Sequence, residues 1–328
     1  MEMQLPCRPL LDRIISAYAT DMKRLVIGTR GSKLARTQTE WVADRLREAH
    51  RTLAVEIKVV RTAGDRDQST PLPVIEGKGL FTQELDQELL DGKIDCAVHS
   101  MKDLPTDLPE GITILAVPDR EKPHDALISR EGLRFLELPR GATIGTGSLR
   151  RMAQLRCIRD DLKYADIRGN VDTRIKKLTH GDYDALVLAA AGLRRLGLEE
   201  QITETFEPNV VLPAVGQGAL AITGRRGDKT TRDTLRPIGD LNTRRCVASE
   251  RAFLSILGGG CHVPIAAHAQ VKGRQLRLEG LVIAPDGAVR VRDHITGPAK
   301  DAALLGAQLG QRLLKLGAGS ILQSLNQT

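Results

Sequence analysis

Aromatic side chains are nearly missing from this chain: four Phe, three Tyr and one Trp make up 2% of 328 residues. Leu, Val, Ile and Ala must therefore fill the cores. A stacking platform for single-stranded nucleic acid is disfavoured, because it needs aromatic faces. Paired cysteines are missing too. Cys7, Cys96, Cys157, Cys246 and Cys261 form no C-x-x-C pair and their number is odd. That pattern fits a reducing compartment, with no disulfide framework and no zinc site. No apolar run approaches the ~18 residues of a membrane span. The opening stretch MEMQLPCRPLLDRIISAYATDM carries Asp12 and Arg13 inside its apolar part, against a signal peptide. A cytoplasmic protein is expected, with residues 1–21 a dispensable extension. Neither G-x-G-x-x-G nor a P-loop is present, so nucleotide binding is not favoured. His99 lies outside any H-x-E or H-E-x-x-H setting, and a metal site has no support.

What is present is positive charge and a βα rhythm. The net charge of +7 points to anionic partners. RLVIGT (24–29) reads as a buried strand, and residues 32–50 as a helix with Ser32 as N-cap. Residues 55–60 alternate like a strand, 79–93 repeat at helical spacing, and 94–98 form another strand. This order predicts a mostly parallel sheet covered by helices. The rhythm restarts at 142–159 and again at 184–197, and IGTRGSKLA (27–35) resembles IGTGSLRRM (144–152) in build. After about residue 237 the pattern changes to a helix (242–257), two strands around an APDG turn, and a closing helix (300–317). The expected fold class is α/β: two doubly wound domains plus a small α+β C-terminal domain.

Charged and nucleophilic groups fall where such sheets bind ligands, at strand carboxyl ends. Arg30 and Ser32 stand at the first helix N-terminus, and Ser148, Arg150 and Arg151 at the second. Such termini attract anions, and arginine adds a planar donor fork. Ordinary capping and solvated arginines explain the same residues one at a time. Arg168, Arg174 and Arg195 follow further strands, and together the arginines look like the lining of a cavity for a polyanion. DCAVHSMKDLP (95–105) ends a strand on Lys102 and Asp103, a carboxylate suited to proton transfer beside a cation, or else an ion pair that caps a loop. EGKGLF (76–81) holds Lys78 and Phe81 on a glycine turn. LGGGCHVP (257–264) sets three glycines before Cys261, which is either a presented nucleophile or a core residue after a helix end.

IGTRGSKLA, EGKGLF, AVHSMKDLP, GTGSLRR, RGNVDTR, AGLRRLG, LPAVGQGA and GGGCHVPI occur in one order. In that order they resemble the porphobilinogen deaminase family of tetrapyrrole biosynthesis, from about residue 23 to the C-terminus. The sequence departs from the family pattern at Gly147, where a serine is usual, and at Ala63, where an arginine is usual. The resemblance implies two lobes like periplasmic binding proteins, with domain 1 at 22–118 and 219–237, domain 2 at 119–218 and domain 3 at 238–328. It implies a monomeric transferase that joins four porphobilinogen units head to tail, with loss of ammonia, and releases hydroxymethylbilane. It further implies a dipyrromethane primer bound covalently through Cys261 and held by Arg150, Arg151, Ser148, Lys102 and Asp103. Asp103 would handle protons. Arg30, Ser32, Arg168, Arg174, Arg195, Lys78 and Phe81 would bind substrate. No nucleic acid or membrane partner is expected. The alternative from another class is a non-enzymatic two-lobed receptor for a small polyanion.

Overall fold

The computed structural model describes residues 22–62, 82–258 and 263–325. Strand β1 (Arg24–Arg30) leads into helix α1 (Lys33–Ala49), whose cap Ser32 accepts a hydrogen bond from the Ala35 N–H at 3.3 Å. Val42, Ala43 and Leu46 recur at helical spacing and bury that face of α1 against the sheet. β2 (Ala54–Val60), α2 (Gln83–Leu90), β3 (Cys96–Ser100) and β4 (Ile112–Ala116) follow. β3 starts two residues later than its apolar run predicts and carries the chain to a short 3₁₀ turn, Met101–Asp103.

The chain then crosses to a second sheet. It comprises β5 (Asp125–Ser129), β6 (Thr143–Gly145), α3 (Leu149–Arg156), β7 (Lys163–Ala165), α4 (Val171–His180), β8 (Ala185–Ala189), α5 (Ala190–Arg195) and β9 (Glu204–Phe206). It returns as β10 (Leu220–Arg225), which inserts into the first sheet between β3 and β4. The two sheets have orders β2-β1-β3-β10-β4 and β7-β6-β8-β5-β9. Each keeps a parallel doubly wound core, β2-β1-β3 and β7-β6-β8. Each is mixed rather than mostly parallel, because β10 and β5 run antiparallel to their neighbours. A strand that arrives by a crossing segment instead of a crossover helix is free to run the other way.

After α6 (Lys229–Leu235), helix α7 (Leu241–Ile256) opens the last lobe. β11 (Ile265–Lys272), β12 (Gln275–Ile283) and β13 (Arg290–Pro298) make an antiparallel sheet, and Phe253, Leu276, Leu278, Leu309 and Leu313 fill the space between it and its helices. The closing helix is shorter than its sequence pattern predicts. α8 (Ala302–Leu313) is followed by an irregular turn at Gly317, with φ +102°, and then α9 (Gly319–Leu325).

Two crossing segments, about 117–124 and 211–219, join the lobes, and a buried carboxylate ties them to the third. Glu250 of α7 is 0% exposed. It accepts from Arg120 Nη1 at 2.6 Å, from the Gly216 N–H at 2.7 Å and from the Ala269 N–H at 2.8 Å. The segments also pass close to each other. Gly218 has φ +85°, and a Cβ there would lie 2.2 Å from the Glu121 carbonyl oxygen. Gly218→Ala is therefore expected to cost roughly 2–4 kcal/mol of stability, from backbone strain and overpacking together. Gly239→Ala is the control, at φ −80° with ordinary contacts; it should stay within about 0.5 kcal/mol of wild type. Urea unfolding of both variants checks this, and equal midpoints would refute the close approach.

Candidate active site

Between the first two lobes lies a cleft of about 300 Å³. Its walls come from the carboxyl ends of β1, β3, β7 and β8 and from the returning segment at Gly218 and Ala219. Six cations line it, Arg30, Lys102, Arg151, Arg168, Arg174 and Arg195, against two carboxylates, Asp103 and Asp172. The N-termini of α1 and α4 open beside it at Ser32 and Asn170, adding partial positive charge. The strand ends of a doubly wound sheet present these groups together because successive βα turns rise on the same edge.

Four of the guanidiniums are held from behind. Arg174 Nε donates to the Gly169 carbonyl at 2.8 Å, and Arg195 Nη2 to the Gly218 carbonyl at 2.7 Å. Arg168 Nε sits 3.6 Å from Asp166. Arg151 forms an ion pair with Asp125, its Nη2 lying 2.7 Å from Oδ1. Crowding of like charge shows in the titration of these groups. Burial, then Arg151, brings the Arg174 guanidinium down to about 10. Burial, then Arg151, pushes Lys102 down to about 8, against the pull of Asp103 and Asp125. A polyanion entering the cleft relieves both effects, since opposite charge restores the protonated forms.

Arg30, Ser32, Lys102, Asp103, Arg151, Arg168, Arg174 and Arg195, all expected from sequence, thus share one cleft. Asp103 is exposed there, at the end of the turn that follows β3. Ser148 and Arg150 do not line the cleft. The Ser148 hydroxyl caps α3 by accepting from the Arg151 N–H, and Arg150 is 4% exposed, with Nη1 donating to Asp125 and to the Leu212 carbonyl. Lys78, Phe81 and Cys261 lie outside the described residues. His99 is buried, its ring Nε2 3.0 Å from the Thr223 hydroxyl, and burial followed by Arg30 pushes it down to about 4, so it stays neutral.

Sequence reasoning missed Gln38 and Asp125, and noted Ser100 and Asn170 beside the charged residues without giving them a role. Gln38 and Ser100 meet across the cleft wall, Nε2 to Oγ at 3.0 Å, although 62 residues separate them. Asn170 sits inside the RGNVDTR stretch, so its place was within reach. Asp125 opens a short apolar strand and carries no local signal. Among the described residues, no group of three or more His, Cys, Asp or Glu is placed to hold a metal ion, and no helix is long and apolar enough to cross a membrane.

The family model described as "Porphobilinogen deaminase, dipyromethane cofactor binding domain" matches residues 25–233, and "Porphobilinogen deaminase, C-terminal domain" matches 244–315. The porphobilinogen deaminase of Geobacter metallireducens is 48% identical over 305 residues, covering 93% of this chain and 96% of that protein. The one from Roseiflexus castenholzii is 48% identical over 298 residues, covering 91% and 98%. Among solved structures, a lipoprotein of the YaeC family from Enterococcus faecalis aligns with TM-score 0.40 at 12% identity, over 67% of this chain and 93% of that one.

Proposed function

The chain belongs to the porphobilinogen deaminase family, and from that premise we propose how its residues divide the work of the reaction. The protein is a transferase of tetrapyrrole biosynthesis that uses a dipyrromethane cofactor, and the receptor alternative is not favoured.

The cleft fits the cofactor by the chemistry of its donors. Two linked pyrroles bear acetate and propionate groups, and Arg151, Arg168, Arg174, Arg195 and Lys102 offer cations on several walls of one cavity. When bound, the dipyrromethane supplies the free pyrrole carbon to which the first porphobilinogen is joined. Cys261 Sγ is the attachment point. Lys102 and Arg151 hold carboxylates on the cofactor side, while Arg30, Ser32, Arg168, Arg174 and Arg195 hold those of incoming porphobilinogen; the family resemblance assigns Lys78 and Phe81 to substrate binding as well. Arg150 and Ser148 support the cofactor side from behind Arg151 rather than by contact.

Asp103 moves the protons. Its carboxyl delivers one to the amine nitrogen of porphobilinogen as ammonia leaves, accepts hydrogen bonds from pyrrole N–H groups and takes a proton back from the ring carbon. A carboxylate among cations in a partly dry cleft suits both tasks. We take the working form to be a monomer in the cytoplasm that joins four porphobilinogens and releases hydroxymethylbilane.

The observation that carries this reading is the convergence of six cations around Asp103 in one cleft. Intact mass of the purified chain tests it, together with an aldehyde colour assay for pyrroles. Excess mass of two pyrrole units and a positive colour are expected, and an unmodified chain that still turns over porphobilinogen would overturn it.

Lys102 supplies a pH test. Its ordinary pKa is ~10.4, and the fold lowers it to about 8. Between these values the unfolded chain keeps the proton and the folded cleft does not, so this group makes stability rise with pH across that window. Carboxylate binding follows the opposite sign, because the lysine loses its charge as pH rises through about 8. Uptake of the cofactor by cofactor-free protein is expected to weaken about fivefold from pH 7 to 9, the worth of a ~1 kcal/mol ion pair. Lys102→Met should flatten that fall. An unchanged profile would assign the inflection elsewhere.

A further inference from the structure

Asp125 is an acid with no part in the chemistry above, yet it stands one bond behind it. It is 0% exposed at the start of β5. Its Oδ2 accepts from Arg150 Nη1 at 2.7 Å, and its Oδ1 accepts from Arg151 Nε at 2.8 Å and from Gln217 Nε2 at 2.9 Å. Burial alone would raise the carboxyl, but Arg150, Arg151 and the hydrogen bonds from Arg150 and Gln217 hold it well below the usual carboxylate range. Gln217 also donates to the Pro123 carbonyl at 2.6 Å and accepts from Arg151 Nη2 at 3.4 Å. One carboxylate therefore binds the edge of Arg151 to both crossing segments, while Arg151 Nη1 donates to the Val187 carbonyl at 3.1 Å.

Stability alone does not explain this cluster. Buried ion pairs are often no better than well-packed apolar groups of the same volume, because desolvation offsets the attraction. Here Arg150 Nε is buried with no hydrogen-bond partner, a further cost. Geometry does explain it. A guanidinium pinned along its Nε–Nη2 edge and at Nη1 has a fixed plane, and Arg151 is both so pinned and part of the cleft lining. We propose that Asp125 is the positioning residue of Arg151: it sets the plane in which that guanidinium meets a ligand carboxylate, and Gln217 ties this orientation to the crossing segments. The proposal rests on the reading that Arg151 binds carboxylates of the cofactor.

A double-mutant cycle of Asp125→Glu and Arg151→Gln tests it, read by intact mass of the purified protein, by kcat and KM, and by thermal unfolding. Arg151→Gln is expected to lower kcat/KM by roughly 10²-fold, the scale of losing one oriented donor, and to reduce the cofactor-loaded mass fraction. Asp125→Glu keeps the charge but moves the carboxylate by one methylene. It should reduce loading and raise KM about tenfold, yet cost less than about twofold more in the Arg151→Gln background, as coupled residues do. Multiplicative effects overturn the positioning role while leaving Arg151's own role intact. An Arg151→Gln protein that is loaded and active like wild type overturns the reading of Arg151, and this proposal with it. Where Asp125→Glu melts below the assay temperature, Gln217→Leu takes its place in the cycle, with about a threefold rise in KM expected and non-additivity again deciding.

Discussion

Cys261→Ser is expected to emerge from purification at the mass its sequence dictates, without the two extra pyrrole units, and with turnover at background. A thiolate forms the thioether because it is far more nucleophilic near neutral pH than a serine hydroxyl. The described thiols are poorly suited to replace it. Cys96 is 0% exposed and burial pushes its thiol far up. Cys246 is 7% exposed and burial pushes it up to about 11. Cys157 is exposed, but its Sγ contacts the Gly287 carbonyl at 3.1 Å and it is absent from the cleft lining. α7 ends at Ile256, and Gly258, with φ +62°, turns the chain just beyond it. Mass spectrometry of the peptide that contains residue 261 settles the matter. Excess mass retained on the variant, or found on Cys157 or Cys246, would refute the attachment site.

Asp103→Ala is expected to lower turnover by roughly 10²–10⁴-fold, the range for a positioned acid–base group. It should lose less of its cofactor mass than Cys261→Ser, because the arginines that hold carboxylates remain. Asp103→Glu should keep part of the rate, since it offers the same group from a longer arm. Pre-steady-state measurement of ammonia release on cofactor-loaded protein is the test. A near-normal rate in Asp103→Ala would remove the residue from the chemistry.

Much of this was legible in the sequence, for physical reasons that differ from place to place. The Ile-Gly-Thr turns combine a buried strand with a capped helix, and Ser32 and Ser148 both cap as their position predicts. Arg30 ends β1, Arg168 follows β7, Arg174 lies in the first turn of α4 and Arg195 closes the short helix after β8, and strand ends lie at the ligand edge of a doubly wound sheet. The antiparallel strands β5 and β10 of the first two sheets were not legible. DALIS is a short apolar run that fits strand or helix equally, and its direction depends on a crossing segment. Arg150 is expected in the cleft from its place at a helix N-terminus and from the GTGSLRR resemblance, yet neighbours on a helix point about 100° apart and only Arg151 lines it. Asp125 and Gln217, 92 residues apart, meet only in the folded chain, and a single acid in a sequence looks like solvated surface.

Glu250 has one further implication. Its carboxylate is shared by Arg120, Gly216 and Ala269, which belong to the outgoing segment, the returning segment and the third sheet. Three bodies fastened at one buried knot have one common fulcrum, since parting there would strand an unpaired charge in the interior. Any swing of one lobe against another leaves atoms near that fulcrum almost still and carries distant ones through wide arcs. Arg151 and Asp125 are tied to the knot through Gln217, whose carbonyl accepts from Arg120 Nε at 2.8 Å and whose side chain donates to Asp125 at 2.9 Å, so a grip on ligand carboxylates there would move little in such a swing.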